Sequence, residues 1–102
     1  MILVTVKKDA YIKRLTIEGH SGYKKIGSDI VCSAVSTAAT VSFNLIDKVC
    51  SKYSFNSDPS IPLIDLQIEE ESELVEMILT NLLETLEGIS LEYPKNLKIK
   101  NE

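Results

Sequence analysis

Hydrophobic and polar positions alternate, then switch to helical spacing, then alternate again. Ile2, Val4 and Val6 alternate with Leu3, Thr5 and Lys7, which predicts a strand. Lys8-Asp9-Ala10 reads as a turn. Tyr11 to Glu18 is a second strand, with Leu15 and Ile17 facing inward and Arg14, Thr16 and Glu18 outward. The short connection predicts an antiparallel hairpin. Ser21 to Ser28 has no periodicity and reads as a mobile loop containing Gly22 and Gly27. Ser28 or Asp29 then caps a helix running to about Lys52, because either side chain can accept from the open N–H groups of the first turn. The expected inward stripe is Val31, Ala34, Val35, Ala38, Val41, Leu45 and Val49.

Ser54 to Ser60 is rich in Ser, Asn, Asp and Pro and reads as a loop. Ile64, Leu66 and Ile68 alternate with Asp65, Gln67 and Glu69, predicting a strand. A second helix follows from about Ser72 to Glu87, with Leu74, Val75, Ile78, Leu79, Leu82, Leu83 and Leu86 as its stripe and Gly88 as its stop. Glu69 to Glu71 place negative charge where the helix dipole favours it. Leu91 and Tyr93, then Leu97 and Ile99, suggest one or two closing strands around Pro94. The order predicts an α+β fold: a single sheet of about four to six mainly antiparallel strands, with two helices against it in two layers.

The 102 residues suffice for one compact domain, and 44% hydrophobic with 25% charged residues is ordinary for a globular chain. A formal net charge of −4 argues against a broad electrostatic grip on nucleic acid. The charges are unevenly placed. Lys7, Lys8, Lys13, Arg14, Lys24 and Lys25 tilt the N-terminal quarter basic, and the C-terminal half is acidic. Two solvated faces explain this, and so does a basic rim that docks a partner. Met1 leads directly into a strand pattern, and no stretch reads as a membrane span, so the chain is expected to be cytoplasmic, with thiols kept reduced.

The candidate chemistry lies at one junction. His20, the sole histidine, follows the second strand through Gly19. With Asp29 as N-cap, Cys32 is the third residue of the first helical turn, where open N–H groups and the dipole favour negative charge. Cys32 lies about 100° from Val31, on the flank of the apolar stripe, and Ser36 shares its side one turn on. Cys50 sits late in the same helix, near the negative dipole end, and reads as structural. Cys32 could equally be a small buried hydrophobe, and His20 a surface or capping residue. One His and two distant Cys do not make a zinc site, and the glycines lack a phosphate-loop spacing, so neither metal nor cofactor is expected. A thiol and an imidazole joined by a short loop are the parts of a Cys/His nucleophile pair.

Gly19-His20-Ser21-Gly22-Tyr23, followed by Gly27-Ser28-Asp29-Ile30-Val31-Cys32-Ser33-Ala34-Val35-Ser36, closely resembles the signature of the ribosomal-processing cysteine protease (Prp) family of bacteria. The likeness extends over the whole chain in length and element order. Ser21 and Ser33 stand where alanine is frequent in that family; all these residues are small and uncharged. The resemblance implies one cysteine protease domain over residues 1–102, with Cys32 as nucleophile and His20 as base. It implies support from Gly19, Asp29 and Ser36, and a flexible loop over the site at about Ser21 to Ser28. By its own position Asp29 is also a helix cap, and Ser36 could bond back to its helix. The implied substrate is the large-subunit ribosomal protein that is twenty-seventh in the standard naming. The enzyme would trim its N-terminal extension, which has a hydrophobic, aromatic-containing end. A homodimer is implied. A non-catalytic ribosome-associated binding module is the rival reading, and a redox thiol sensor a third, weakened by the distance to Cys50.

Overall fold

The computed structural model describes residues 1–19, 30–49, 52–58 and 63–102. Strands β1 (Ile2–Lys8) and β2 (Ile12–Gly19) are followed by helix α1 (Ile30–Val49), strands β3 (Tyr53–Asp58) and β4 (Leu63–Ile68), helix α2 (Glu73–Glu92) and strand β5 (Leu97–Asn101). The five strands form one mixed sheet in the order β3-β4-β2-β1-β5. Among the described strand pairs, only β1–β5 is parallel. The α+β expectation holds: one sheet of five strands, with the helices packed against each other and against the core.

The alternation of β1 and β2 decides which sheet face is covered. Ile2, Val4, Val6, Leu15 and Ile17 are buried together with Leu66, Ile68 and Leu97. The intervening Thr5, Lys7, Arg14, Thr16 and Glu18 belong to the opposite, polar face, as period-2 geometry requires. There Arg14 reaches across the β2–β4 pair to Asp65 in a two-pronged contact, Nε to Oδ1 at 3.0 Å and Nη2 to Oδ2 at 2.8 Å. The Arg14 hydrogen bonds hold the Asp65 carboxyl below its ordinary value of 3.8.

Three elements differ from the sequence expectation. Residues 54–58, read as part of a loop, belong to edge strand β3, whose Phe55 pairs with Leu66. With only Tyr53 and Phe55 as large apolar residues and one strand neighbour, its signal is weak. Helix α2 does not stop at Gly88, and Leu91 is helical rather than part of a strand. An added Cβ at Gly88 would meet nothing within 4 Å, so the glycine costs helix propensity but not packing. The helix ends at Glu92 because Pro94 disfavours helical backbone at Tyr93, which sits at φ −128 and donates its N–H to the Ile89 carbonyl at 2.8 Å. Its start follows expectation. Ser72 is the N-cap, accepting from the Val75 N–H at 3.4 Å.

The third difference is the rotation of α1. Its buried positions are Val31, Val35, Ala39, Ser42 and Ile46. Val41, Leu45 and Val49, expected inside, are 55%, 45% and 43% exposed, and Ala34 is exposed as well. The face with the small residues Ala39 and Ser42 is the buried one, on a helix that packs closely against α2. Ser42 donates its hydroxyl to the Ala38 carbonyl at 2.9 Å, which removes the cost of burying it. The reading that no stretch approaches a membrane span also needs correction. At 20 residues and a mean hydropathy of 1.4, α1 is long and apolar enough by length and composition. In the fold one face of it is core.

The Arg14–Asp65 contact gives a signed pH dependence. A carboxyl with a lowered folded pKa contributes stability that is present above its unfolded value and is lost as pH falls through the folded value. Asp65→Asn should therefore lower the melting temperature at pH 7. The gap from the unsubstituted chain should narrow as pH drops below 3.8. A gap that is constant from pH 7 to pH 2 would contradict this.

Candidate active site

Strand β2 ends at Gly19, the last residue before His20, and Gly19 pairs with Ile2 at the start of β1. Its φ is +94, and a Cβ placed on it would collide with the carbonyl oxygen of Met1. Both facts demand glycine: the backbone conformation is strained for any L side chain, and the space is taken by main chain. Gly19 thus fixes the backbone at the end of β2, one residue before His20 in sequence. His20, Ser21, Gly22, Gly27, Ser28 and Asp29 lie outside the described residues, as does Cys50.

At the other side of that junction, Cys32 lies in the first turn of α1 as described. Val31 beside it is 1% exposed and anchors the turn in the core. Cys32 is half-buried, packed against the core cluster, and its sulfur is a thiol rather than half of a disulfide. Ser36 is exposed one turn further along the same side. Anchored but reachable is the placement that a nucleophile requires. The flank continues through Thr40 and Phe43, residues that the sequence pattern did not single out.

Three of the six cations of the N-terminal quarter have carboxylate partners among the described residues. Lys8 approaches Glu76 at 3.8 Å, Lys13 approaches Asp9 at 3.1 Å, and Arg14 holds Asp65. These cations serve the fold's own carboxylates, which favours the solvated-face reading over a docking rim. Lys24 and Lys25 lie outside the described residues. Among the described residues, no three His, Cys, Asp or Glu side chains gather as metal donors.

A sheet covered by two helices, with a half-buried thiol in the first turn of one of them, is the framework of a thiol hydrolase. The model of the family described as cysteine protease Prp matches residues 1–98, and the chain belongs to that family: it is a cysteine protease. No curated protein sequence matches. Solved structures agree in fold. A Staphylococcus aureus ribosomal processing protease Prp with a covalently linked product peptide aligns over the full length of both chains, at 24% identity and a TM-score of 0.95. The same S. aureus protease with a substrate peptide aligns over both full chains at 22% identity and a TM-score of 0.84. A Streptococcus mutans protein covers 99% of this chain and 93% of its own, at 21% identity and a TM-score of 0.84.

The glycine requirement is testable by itself. Gly19→Ala should lower the unfolding free energy by about 1–3 kcal/mol, measured by urea denaturation. An unchanged midpoint would show that the β2 end does not need this conformation.

Proposed function

We propose that the chain is a ribosomal-processing endopeptidase, with Cys32 as nucleophile and His20 as general base and acid. Its substrate in this reading is the N-terminal extension of the twenty-seventh large-subunit ribosomal protein, cleaved in the cytoplasm as ribosomes assemble. The observation that carries the reading is the half-exposed thiol in the first turn of α1, inside a chain of the cysteine protease Prp family. The S. aureus relatives, described as ribosomal processing proteases with bound peptides, support the substrate class.

The chemistry follows from the residue types. His20 accepts the Cys32 proton as the sulfur attacks the scissile carbonyl. The carbonyl oxygen gains negative charge, which the positive end of the α1 dipole can stabilise. His20 returns its proton to the leaving amine, and the acyl group remains as a thioester on Cys32. Water, deprotonated by His20, attacks the thioester and releases the acid, restoring the thiol. In this reading Gly19, Asp29 and Ser36 support the pair, and Ser36 lies on the nucleophile's side of α1.

We also propose a homodimer. Ile30, Val41 and Leu45 stand exposed on α1, and at helical phase they lie about 140–180° from Cys32, on the opposite side of the helix. A second copy covering those residues leaves the thiol accessible.

A peptide spanning the extension junction tests the enzyme. Cys32→Ala and His20→Ala should abolish cleavage, whereas Cys50→Ala should leave the rate nearly unchanged; cleavage that survives either of the first two substitutions refutes the mechanism. For the dimer, sedimentation of the unsubstituted chain should show two copies and Leu45→Glu should show one. A monomeric unsubstituted chain removes that assignment.

A further inference from the structure

The flank of α1 that carries Cys32 leads to a pocket. At 100° per residue, Ser36, Thr40, Phe43 and Asp47 all fall within about 80° of Cys32 around the helix. The rotation set by Val31, Val35, Ala39, Ser42 and Ile46 turns that flank toward β3 and β4. A cavity of about 230 Å³ opens there, walled by Phe43, Ile46, Phe55 and Leu66. The rings of Phe43 and Phe55 meet edge to face, with centroids 5.2 Å apart, and bridge helix and strand. Tyr53 donates its hydroxyl to Asp47 and closes the far end. Phe55 is 43% exposed, so the pocket has an open side. Its volume falls below the range of whole-ligand sites and suits one large side chain.

Two further features favour an extended peptide as the bearer of that side chain. Strand β3 is the last described strand of the sheet, with β4 as its neighbour on one side and no described strand on the other. A strand added to such an edge pairs by main-chain hydrogen bonds and points alternate side chains to the helix-covered face, where Phe43 and Phe55 lie. The Asp58 end of β3 pairs with Leu63, and Leu63 lies across from Glu18 at the Gly19 end of β2. The β3 edge and the α1 flank therefore run together from the Cys32 end of the molecule toward Tyr53.

We propose that this pocket is a specificity subsite of the protease, taking an aromatic or large aliphatic side chain four or five residues from the cleaved bond. The spacing comes from α1. Phe43 lies eleven residues beyond Cys32, about 16 Å along the axis, and an extended peptide covers about 3.3 Å per residue. Thr40, exposed between Ser36 and Phe43, is the rim over which the peptide passes. The assignment rests on Cys32 being the nucleophile, but not on any particular protein substrate.

The experiment uses the full chain and a mixture of proteome-derived peptides, with cut sites read by mass spectrometry. Cuts made by the unsubstituted chain and absent with Cys32→Ala establish the nucleophile independently of the pocket. Among those cuts, aromatic and large aliphatic residues should be enriched at the fourth or fifth position on one side of the bond. Phe55→Ser should reduce that enrichment by about tenfold, the scale of losing an apolar side-chain contact. Thr40→Trp, which fills the pocket mouth and leaves the apolar walls intact, should do the same, while Phe55→Leu should retain it. No enrichment with the unsubstituted chain, or enrichment that persists in both Phe55→Ser and Thr40→Trp, overturns the subsite. Absence of any Cys32-dependent cut overturns the nucleophile assignment and the subsite with it.

Discussion

The burial of Val31, Val35, Ala39, Ser42 and Ile46 in the core sets the rotation of α1 about its axis. The geometry of the candidate site depends on that single packing choice. The buried Ser42 hydroxyl returns to its own helix at the Ala38 carbonyl. Once this face is down, Cys32 is held by its neighbour Val31 and left half-exposed on the flank. The same rotation turns Thr40 and Phe43 toward β3 and leaves Val41 and Leu45 outside. A rotation of one residue position would bury the thiol or turn it away from the strands.

The sheet supplies the second constraint. The β1–β2 register places Ile2 opposite Gly19, so the chain must leave β2 beside the start of β1. Only a residue without Cβ fits against the Met1 carbonyl there, and that residue precedes the sole histidine. The polar face is held by cross-strand pairing, with Arg14 on Asp65, rather than by a second layer of helices. The α2 end of the hairpin is tied by Glu76, which accepts from the Ile12 N–H at 3.0 Å and lies near Lys8.

Most of the fold is legible in the residue pattern because its strands have one buried and one open face. Alternation marks β1, β2, β4 and β5 clearly. It fails for β3, an edge strand with only two large apolar residues. Glycine misleads at Gly88, where α2 continues because nothing requires a left-handed turn and the true stop comes from Pro94. Helical spacing locates α1 but not its inward face, since Val41 and Leu45 repeat as regularly as Val31 and Val35. The site is legible in part. The motif around Gly19-His20 and Cys32 identifies the family, and the position of Cys32 in the first turn follows from capping signals. The pocket of Phe43 and Phe55 could not be read, because one wall belongs to the strand that the pattern hides.

The central claim is that a thiol anchored at the start of α1 becomes the acylated atom of a protease. A peptide carrying an electrophilic carbonyl replacement at its cleavage position measures this directly, by intact mass and by mapping of the modified residue. One adduct per chain, located on Cys32 and lost in His20→Ala, is the predicted result. An adduct on Cys50, or equal labelling of Cys32 with and without His20, would contradict it.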